Sequence, residues 1–258
     1  MARRREGFSL IELLVILAVT AVLTAIVFPV FTAARERSRQ SRCAANLRQI
    51  GSAFDLYTQD WDGFYPPLQS VLFRNGENPT AHTVTWKGQV LPYIGTNALF
   101  ACPSTPWYGD RYYADHPDET PPSYAANQMV LSHREWDYAA ESIPDGGSAS
   151  IERSVEEVRN AAGTVLVFET RIPNLDYLSW RPGSSPFASA TASGGVFRLH
   201  AGGQSNFLMA DGHVKAMRVL DTLRLGMWGT SDMLTRDWPR RPIPLSHPWV
   251  ASASPEYR

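Results

Sequence analysis

An unbroken apolar run near the N-terminus limits most strongly how this chain of 258 residues can fold. The run covers residues 8–31, where only two threonines, one serine, one glutamate and one proline interrupt strongly apolar side chains. As a helix rising about 1.5 Å per residue it would measure about 36 Å, enough to cross a hydrocarbon core of about 30 Å. We therefore predict a transmembrane helix over residues 8–31.

Two other structures would also place an apolar segment after basic residues. A cleaved secretory signal has an apolar region of usually about 7–15 residues that ends in small side chains, and this run is longer. A buried core helix would be shorter still and would not normally follow three consecutive arginines, which here occupy positions 3–5. The length of the run therefore favours a membrane span.

Arginines are concentrated at this end of the chain although the overall net charge is -1. Three precede the apolar run, and Arg35, Arg37, Arg39, Arg42 and Arg48 follow it. Basic flanks around a membrane helix explain them better than nucleic-acid binding, because no nucleic-acid motif accompanies them. Since arginines lie on both sides of the run, their distribution does not decide which end faces the cytoplasm.

Glu12 is the charged residue inside the apolar run. An ionised carboxylate in a bilayer costs at least about 2.5 kcal/mol unless it is paired, so such a residue is usually functional. A cationic group on a neighbouring subunit would relieve this cost. Glu12 therefore predicts a contact between subunits; the alternative is a lone carboxylate that is protonated or reaches the membrane surface.

The residues around Glu12 resemble a known processing site. The segment GFSLIEL, residues 7–13, is similar to the cleavage site of type IV pilins and type II secretion pseudopilins, and Pro29 matches a proline common in their helix. The resemblance implies that a prepilin peptidase cuts after Gly7, that Phe8 becomes the methylated N-terminus, and that Glu12 assists assembly. Residues 1–7 would then be a basic leader peptide.

The same resemblance implies a location and a set of partners. The N-terminus would be cytoplasmic and the head exported from the bacterial inner membrane, with a filament in the periplasm or at the cell surface. The expected partners are membrane lipid, the prepilin peptidase, and itself or related pilin-like subunits bound through the N-terminal helix. No nucleic acid is expected as a partner.

A second periodic segment follows the apolar run. Apolar side chains recur at spacings of four, three, four and three residues between polar ones, which predicts an amphipathic helix that continues the stem over residues 32–62. They are Cys43, Leu47, Ile50, Phe54 and Tyr57. Packing against the chain's own head is the commoner explanation of such a stripe, and a partner helix is the alternative. Gly63 and the two following prolines are expected to end the helix.

Residues 63–225 are predicted to form a globular head, which makes the fold class α+β with a long helix packed on a small antiparallel sheet. Residues 102–150 are rich in turn-forming side chains and suggest long loops. A capping box at Ser154 and Glu157 predicts a short helix over about 154–161, and residues 164–169 read as a strand. Residues 226–258 form a tail rich in Trp, Pro and Arg.

The clearest hairpin is predicted around Asp211 and Gly212. This dipeptide suits a two-residue turn between strands 205–210 and 213–219, because both positions tolerate positive φ.

Residues 43–67 are also similar to bacterial prepilin-like proteins that carry a C-terminal H-X9-DG feature. Here ten residues, rather than nine, separate His200 from Asp211, which weakens the transfer of a specific role to His200.

The cluster of His200, Asp211 and His213 is the segment of the head that most suggests chemistry. A structural turn with hydrogen-bonded histidines is favoured over a metal site, because zinc needs three or four ligands and no fourth stands out. It is also favoured over catalysis, because no nucleophile motif such as G-x-S-x-G is present. We therefore assign no catalytic residues and expect that the chain is not an enzyme.

Two further side-chain sets are candidate sites. Asp60 and Asp62 before a glycine resemble part of a calcium loop, and with Asp211 they are candidate calcium ligands; no other cofactor is expected. Cys43 and Cys102 are the only cysteines. They are too few for a disulfide scaffold and lack the spacing of a zinc ribbon, so a single bridge in an oxidising compartment stays open.

The sequence favours a prepilin-like structural subunit of a type IV pilus or type II secretion pseudopilus. The alternative is a single-pass membrane-anchored binding or carbohydrate-active protein, in which the head does the work and the stem only tethers it. The richness of the chain in aromatic residues motivates this alternative.

Overall fold

The chain folds as one long helix with a small antiparallel sheet packed against its C-terminal half, which confirms the α+β class. The structure, a computed structural model, describes residues 9–67, 69–71, 83–104, 123–131, 153–170, 200 and 203–228. The leader peptide, residues 1–7, lies outside these described residues, and so does Phe8. Residues 229–258 of the tail and most of residues 102–150, where long loops were predicted, also lie outside them.

Helix α1 spans Leu10–Asp60 without a break, through both predicted parts of the stem. Its 51 residues correspond to about 77 Å at about 1.5 Å per residue. The backbone N–H of Ser9 donates to the Glu12 carboxylate at 2.8 Å, which satisfies a donor at the first turn. The helix ends because Asp62 and Gly63 both have positive φ, 48° and 81°, which no right-handed helix contains.

The predicted apolar stripe of α1 is the centre of the core. Cys43, Leu47, Ile50, Phe54 and Tyr57 are all buried. The Phe54 ring lies 5.5 Å from that of Trp86, the first residue of helix α2 (Trp86–Ile94), and 6.3 Å from that of Tyr65. The stripe therefore packs against the head of the same chain, as predicted.

The described part of the head contains two antiparallel sheets. A two-stranded sheet pairs β1 (Gln69–Val71) with β2 (Thr83–Thr85). The larger sheet has the order β3 (Tyr124–Ala126), β4 (Val165–Glu169), β5 (Ser205–Met209), β6 (Val214–Met217). Short helices α3 (Gln128–Leu131) and α4 (Val219–Arg224) follow β3 and β6.

A glycine lets the stem approach this sheet closely. A Cβ atom at Gly51 would lie only 2.9 Å from the Cδ1 atom of Leu208, which is fully buried on β5. Every residue of β4 and β5 is buried, whereas the edge strand β6 exposes its central residues. Strand β5 therefore packs against the stem, and both β4 and β5 are covered on their two faces.

The connection between β5 and β6 differs from the predicted two-residue turn. Met209 donates its N–H to the carbonyl of His213 at 2.8 Å and accepts the N–H of Gly212 at 2.9 Å. Gly212 has φ 86°, but Asp211 is not among the described residues with positive φ. A type I′ turn needs positive φ at both central positions, so this connection is not a type I′ turn. The bond between Met209 and His213 instead closes a three-residue loop that starts at Ala210.

The short helix predicted over 154–161 is wrong in type. The predicted capping contact is present, since the N–H of Ser154 donates to Glu157 at 3.2 Å. It begins a single 3₁₀ turn, Val155–Glu157, and a second one, Ala161–Gly163, follows. The side chain of Asn160 accepts the N–H of Gly163 at 3.1 Å, a local bond that competes with continuation of an α-helix.

Two buried elements lie where loops or a tail were predicted. Strand β3 falls within residues 102–150, and its Tyr124 is fully buried and pairs with Glu169. Trp228, the third residue of the predicted tail, is only 2% exposed, and its ring lies 5.1 Å from that of Phe168 and 6.1 Å from that of Phe207. The first residues of the tail therefore belong to the core.

We expect Phe54→Ala to lower the free energy of unfolding by about 3–5 kcal/mol, because the loss of a buried ring leaves a cavity between stem and head. Leu56→Ala is the matched control, since Leu56 lies on the same helix and is 47% exposed; a surface change of this kind should stay within about 0.5 kcal/mol. Denaturant unfolding of the detergent-solubilised chain, followed by tryptophan fluorescence, measures both. Equal losses in the two variants would contradict this packing.

Candidate functional site

The N-terminal half of α1 extends away from the head. Large apolar side chains between Leu10 and Phe31 are 47% to 77% exposed. Among the described residues, α1 is the helix that is long and apolar enough to cross a membrane, with a mean hydropathy of 2.8 over its most apolar window, none of which is buried. A helix that is apolar on all sides requires an apolar environment, which lipid or other helices provide.

The polar groups within this segment are bonded inside the helix. The hydroxyl of Thr20 donates to the carbonyl of Ile16 at 2.9 Å, and that of Thr24 donates to the carbonyl of Thr20 at 2.6 Å. Pro29 lies inside the helix and lacks the N–H that would bond the carbonyl of Ala25. Internal bonding of hydroxyls is what a segment surrounded by hydrocarbon requires.

Glu12 lies in the first turn of α1 and is solvent-exposed in the isolated chain. Its bond from the Ser9 N–H uses one carboxylate oxygen, and a carboxylate accepts up to about four hydrogen bonds. The side chain therefore retains capacity for a cationic partner. The predicted cleavage point between Gly7 and Phe8 lies outside the described residues.

A group of buried and half-buried side chains joins the stem to the head, and we name it the neck cluster. It consists of Glu36, His200, Glu169 and the two bonded cysteines, Cys43 and Cys102. Glu36 and Cys43 lie on α1, Glu169 ends β4, and His200 precedes β5. The Cα atoms of the two cysteines are 5.3 Å apart, and the disulfide joins residues 59 positions apart in the sequence.

His200 lies between two carboxylates. Its Nδ1 atom is 3.0 Å from Glu36 and its Nε2 atom is 3.0 Å from Glu169, and its ring is fully buried. Both ring nitrogens face acceptor oxygens, and the protonated imidazole is the form that donates from both. The bonds therefore connect the stem through His200 to the end of β4.

The charges of the neck cluster support one another. Burial by itself lowers the pKa of His200, but the hydrogen bonds and negative charges of Glu169 and Glu36 outweigh it and raise that pKa above its ordinary value. Partial burial by itself raises the pKa of Glu36, but hydrogen bonds from His200 and Ser104 outweigh it and lower the pKa. In the disulfide-bonded chain, these shifts favour an imidazolium held between two carboxylates.

Further bonds hold the carboxylate of Glu169 in place. The backbone N–H of Asn206 donates to Glu169 Oε2 at 2.7 Å, and the side-chain amide donates to Oε1 at 2.9 Å. The same amide also reaches the backbone carbonyl of Gln40 on α1 at 3.2 Å. Asn206 thus satisfies a buried carboxylate that would otherwise be costly.

The other sequence-predicted residues lie apart from the neck cluster. His213 and Asp211 pair with each other at the β5–β6 loop, where His213 Nδ1 and Asp211 Oδ1 are 2.5 Å apart. These two of the three polar residues in the predicted turn cluster therefore hydrogen-bond there. His200 does not belong to that loop: it lies at the far end of the hairpin, next to the start of β5.

The predicted calcium ligands are separate in the described part of the chain. Asp60 accepts a hydrogen bond from Tyr93 at 2.9 Å near the end of α1, Asp62 follows in the turn, and Asp211 lies in the hairpin loop. Where the chain is described, the group of candidate ligand atoms that converge within 4.8 Å of one another contains none of these three aspartates. Calcium binding by them stays a prediction.

The pattern analysis missed Glu36, Glu169 and Asn206. Glu36 falls among alternating charges after the membrane segment, where it looks like an exposed helix residue. Glu169 ends a run of apolar strand residues, and a carboxylate in that position is a signal, because a buried acid needs a partner. Which partner it has depends on the packing of three separate segments, which sequence spacing does not reveal.

Removing the disulfide tests how much the neck cluster contributes to the stability of the chain. We expect the double change Cys43→Ala with Cys102→Ala to lower the free energy of unfolding by about 4 kcal/mol, because the unfolded chain regains the freedom of a loop of 59 residues. Unfolding of the detergent-solubilised chain measures the loss, and a phosphine reductant should destabilise the wild type but not the variant. If the untreated wild-type chain carried two alkylatable thiols after denaturation, the bond would be absent.

Two family models match the chain at its N-terminal end. Residues 2–28 match the prokaryotic N-terminal methylation motif, and residues 32–101 match a family described as a protein of unknown function, DUF1559. The first match covers the predicted cleavage point and Glu12. The second covers the head-bound half of α1 together with Cys43 and reaches Ala101, the residue before Cys102. No solved structure matches the chain.

Curated relatives include components of a type IV pilus and of type II secretion systems. The chain is 33% identical over 84 residues to the type IV wide pilus major component PilA4 of Thermus thermophilus, covering 33% of this chain and 63% of that protein. It is 28% identical over 79 residues to the type II secretion system core protein G of Aeromonas hydrophila, covering 31% of this chain and 54% of that protein. The chain thus spans little more than half the length of these relatives.

A longer match extends to the core protein G of Escherichia coli, which is 25% identical over 116 residues, or 45% of this chain and 75% of that protein. The methylation motif, the similarity to pilus and secretion components, and the exposed apolar half of α1 agree with one another. The N-terminal part of the chain is therefore similar to a type IV pilus component and to core proteins of type II secretion systems, and it carries the N-terminal methylation motif.

Proposed function

We propose that this chain is a structural subunit of a type IV pilus or type II secretion pseudopilus filament, assembled through α1. The observation that carries the proposal is the continuity of α1, whose exposed apolar half joins a second half buried in the head. Such a helix can stand in a bilayer before assembly and pack against other stems afterwards. The proposed role is structural rather than enzymatic.

Burial of apolar surface drives the proposed assembly. A large apolar side chain contributes roughly 1.5–3 kcal/mol when it is removed from water, and α1 exposes fifteen of them between Leu10 and Phe31. A subunit that leaves the membrane as part of a filament must cover these side chains with neighbouring stems. The proposed filament is therefore a bundle of stems with the heads on its outside.

Glu12 would select the position of each incoming subunit. In the proposed arrangement, cleavage after Gly7 removes the basic leader and creates a charged amine at Phe8, which pairs with Glu12 of a neighbouring subunit. The pair relieves the cost of a carboxylate in hydrocarbon. The partners are then a prepilin peptidase, the inner-membrane lipid and other pilin-like subunits, with the N-terminus cytoplasmic and the head exported.

The alternative is a membrane-anchored protein whose head binds or modifies a ligand and whose stem only tethers. This alternative needs neither cleavage after Gly7 nor contact between stems. Its support is the aromatic content of the chain. In the described head, however, several of those rings pack on one another in the core, as in the pairs of Trp86 with Phe100 and of Phe168 with Trp228.

The mature N-terminus discriminates these two functions. We expect mass spectrometry of the chain purified from its native host to find N-methylated Phe8 as the first residue, with residues 1–7 absent. The same chain from cells that lack prepilin peptidase is the control and should keep the leader. An intact Met1 in wild-type cells, or cleavage near residue 30, would remove the main support for the filament.

Glu12→Gln tests the assembly contact while preserving side-chain size. We expect the amount of this chain in sheared filaments to fall at least about tenfold, the effect of losing about 1.4 kcal/mol of pairing. Total protein and cleavage after Gly7 should be unchanged. Glu156→Gln is the matched control, because Glu156 is an exposed acid on the head. Normal filament content in the Glu12 variant would show that this carboxylate does not guide assembly.

A further inference from the structure

The neck cluster contains four potential metal ligands in one buried place. Candidate ligand atoms of Cys43, Cys102, Glu169 and His200 all lie within 4.8 Å of one another, and all four residues are buried. In the disulfide-bonded chain, the two sulfurs are spent on each other. We propose that reduction of this disulfide converts the neck cluster into a zinc site formed by these four side chains, a function separate from filament assembly.

The donor types fit zinc. Two thiolates, one imidazole nitrogen and one carboxylate oxygen form a four-coordinate set of the kind that zinc binds in tetrahedral geometry. Bonds of about 2.0–2.3 Å place neighbouring donors about 3.3–3.8 Å apart around such an ion. In the structure, Glu169 Oε1 lies 3.0 Å from His200 Nε2 and 4.0 Å from Cys102 Sγ. Small side-chain movements therefore suffice once the sulfurs separate.

The residues around these four donors are those that a metal site uses to orient its ligands. A histidine that binds a metal through one nitrogen usually donates the other N–H to a carboxylate, which fixes the tautomer. His200 Nδ1 lies 3.0 Å from Glu36, and Ser104 and Arg39 hold that carboxylate at 2.7 and 3.4 Å. Asn206 holds Glu169 in the same way.

Buried charge is a second reason to assign a ligand to this place. A disulfide needs no ionisable neighbours, and burying a carboxylate costs several kcal/mol unless it is paired. Glu169 and the His200 ring are nonetheless fully buried beside the two sulfurs. The oxidised chain satisfies them through the contacts of His200 with Glu36 and Glu169, both at 3.0 Å, and the reduced chain would satisfy the same groups with a divalent cation.

The switch between the two forms is a two-electron reaction with a dithiol reductant. The reductant transfers two electrons to the bond between Cys43 and Cys102, the bond breaks, and the reductant becomes a disulfide. The two sulfurs take up two protons as thiols. When Zn²⁺ binds, both thiols and the imidazolium of His200 release their protons, since zinc takes thiolate and neutral imidazole. Reoxidation of the thiolates would release the ion.

Cobalt titration of the full chain in detergent micelles tests the proposal. The chain is reduced with a phosphine, freed of metal without oxygen, and titrated with Co²⁺, which reports tetrahedral geometry and thiolate bonding by its absorption. We expect one equivalent of tetrahedral, thiolate-bound cobalt per chain, displaced by one equivalent of Zn²⁺. The untreated disulfide-bonded chain should bind none.

Variants separate this site from adventitious binding by two thiols. His200→Gln should abolish the tetrahedral spectrum, and Glu36→Gln should weaken zinc binding by about 10–100-fold, because Glu36 only orients His200. His213→Gln is the matched control at the exposed hairpin loop and should bind like wild type.

Two results would overturn the proposal: no tetrahedral cobalt in the reduced wild type, or titration of His200→Gln identical to that of wild type. Circular dichroism of the oxidised variants checks that they fold. If His200→Gln does not fold, Glu36→Gln, at the half-buried edge of the cluster, supplies the decisive comparison: unchanged zinc affinity would refute the assigned geometry.

Discussion

The exposure of apolar surface on the first half of α1 is the constraint on which the rest of the structure depends. A helix of 51 residues carries bulky apolar side chains on every side of its N-terminal half and on one stripe of its C-terminal half. The stripe is satisfied by the chain's own head, whereas the first half has no partner among the described residues. Lipid and the apolar helices of other subunits are two environments that would satisfy this surface.

The neck cluster is what makes the stem and head act as one body. The stem is fastened to the head by the Cys43–Cys102 bond, by the contacts of Glu36 with His200 and Ser104, and by packing of the apolar stripe. A force or displacement applied to the stem would pass through these contacts to β4 and β5. If reduction exchanges the disulfide for zinc, the same fastening is kept in both redox states by different bonds.

Much of the fold and the candidate membrane segment of the stem could be predicted from local patterns. Several predicted features are properties of contiguous segments, which periodicity and length reveal. They are the long apolar run with Glu12 inside it, the spacing of the buried stripe, and strand β4. The fold class and the similarity of the N-terminal segment to pilus and secretion components were predictable for this reason. Asp211 and Gly212 correctly marked the hairpin, although the loop length depended on a φ value at Asp211 that the dipeptide alone does not determine.

The sequence left a Cys43–Cys102 bridge open, but the rest of the neck cluster was not predictable, because Glu36, Glu169 and His200 come from α1, from the end of β4 and from the segment before β5. No spacing rule joins Glu36 to His200 across 164 positions.

The central claim remains that stems of this chain pack together in a filament. Cryo-electron microscopy of filaments purified from the native host tests it most directly. The account predicts α1 in the filament core, with Glu12 beside the amine of a neighbouring Phe8; filaments that lack this chain, with the chain itself recovered as isolated membrane monomers, would contradict it.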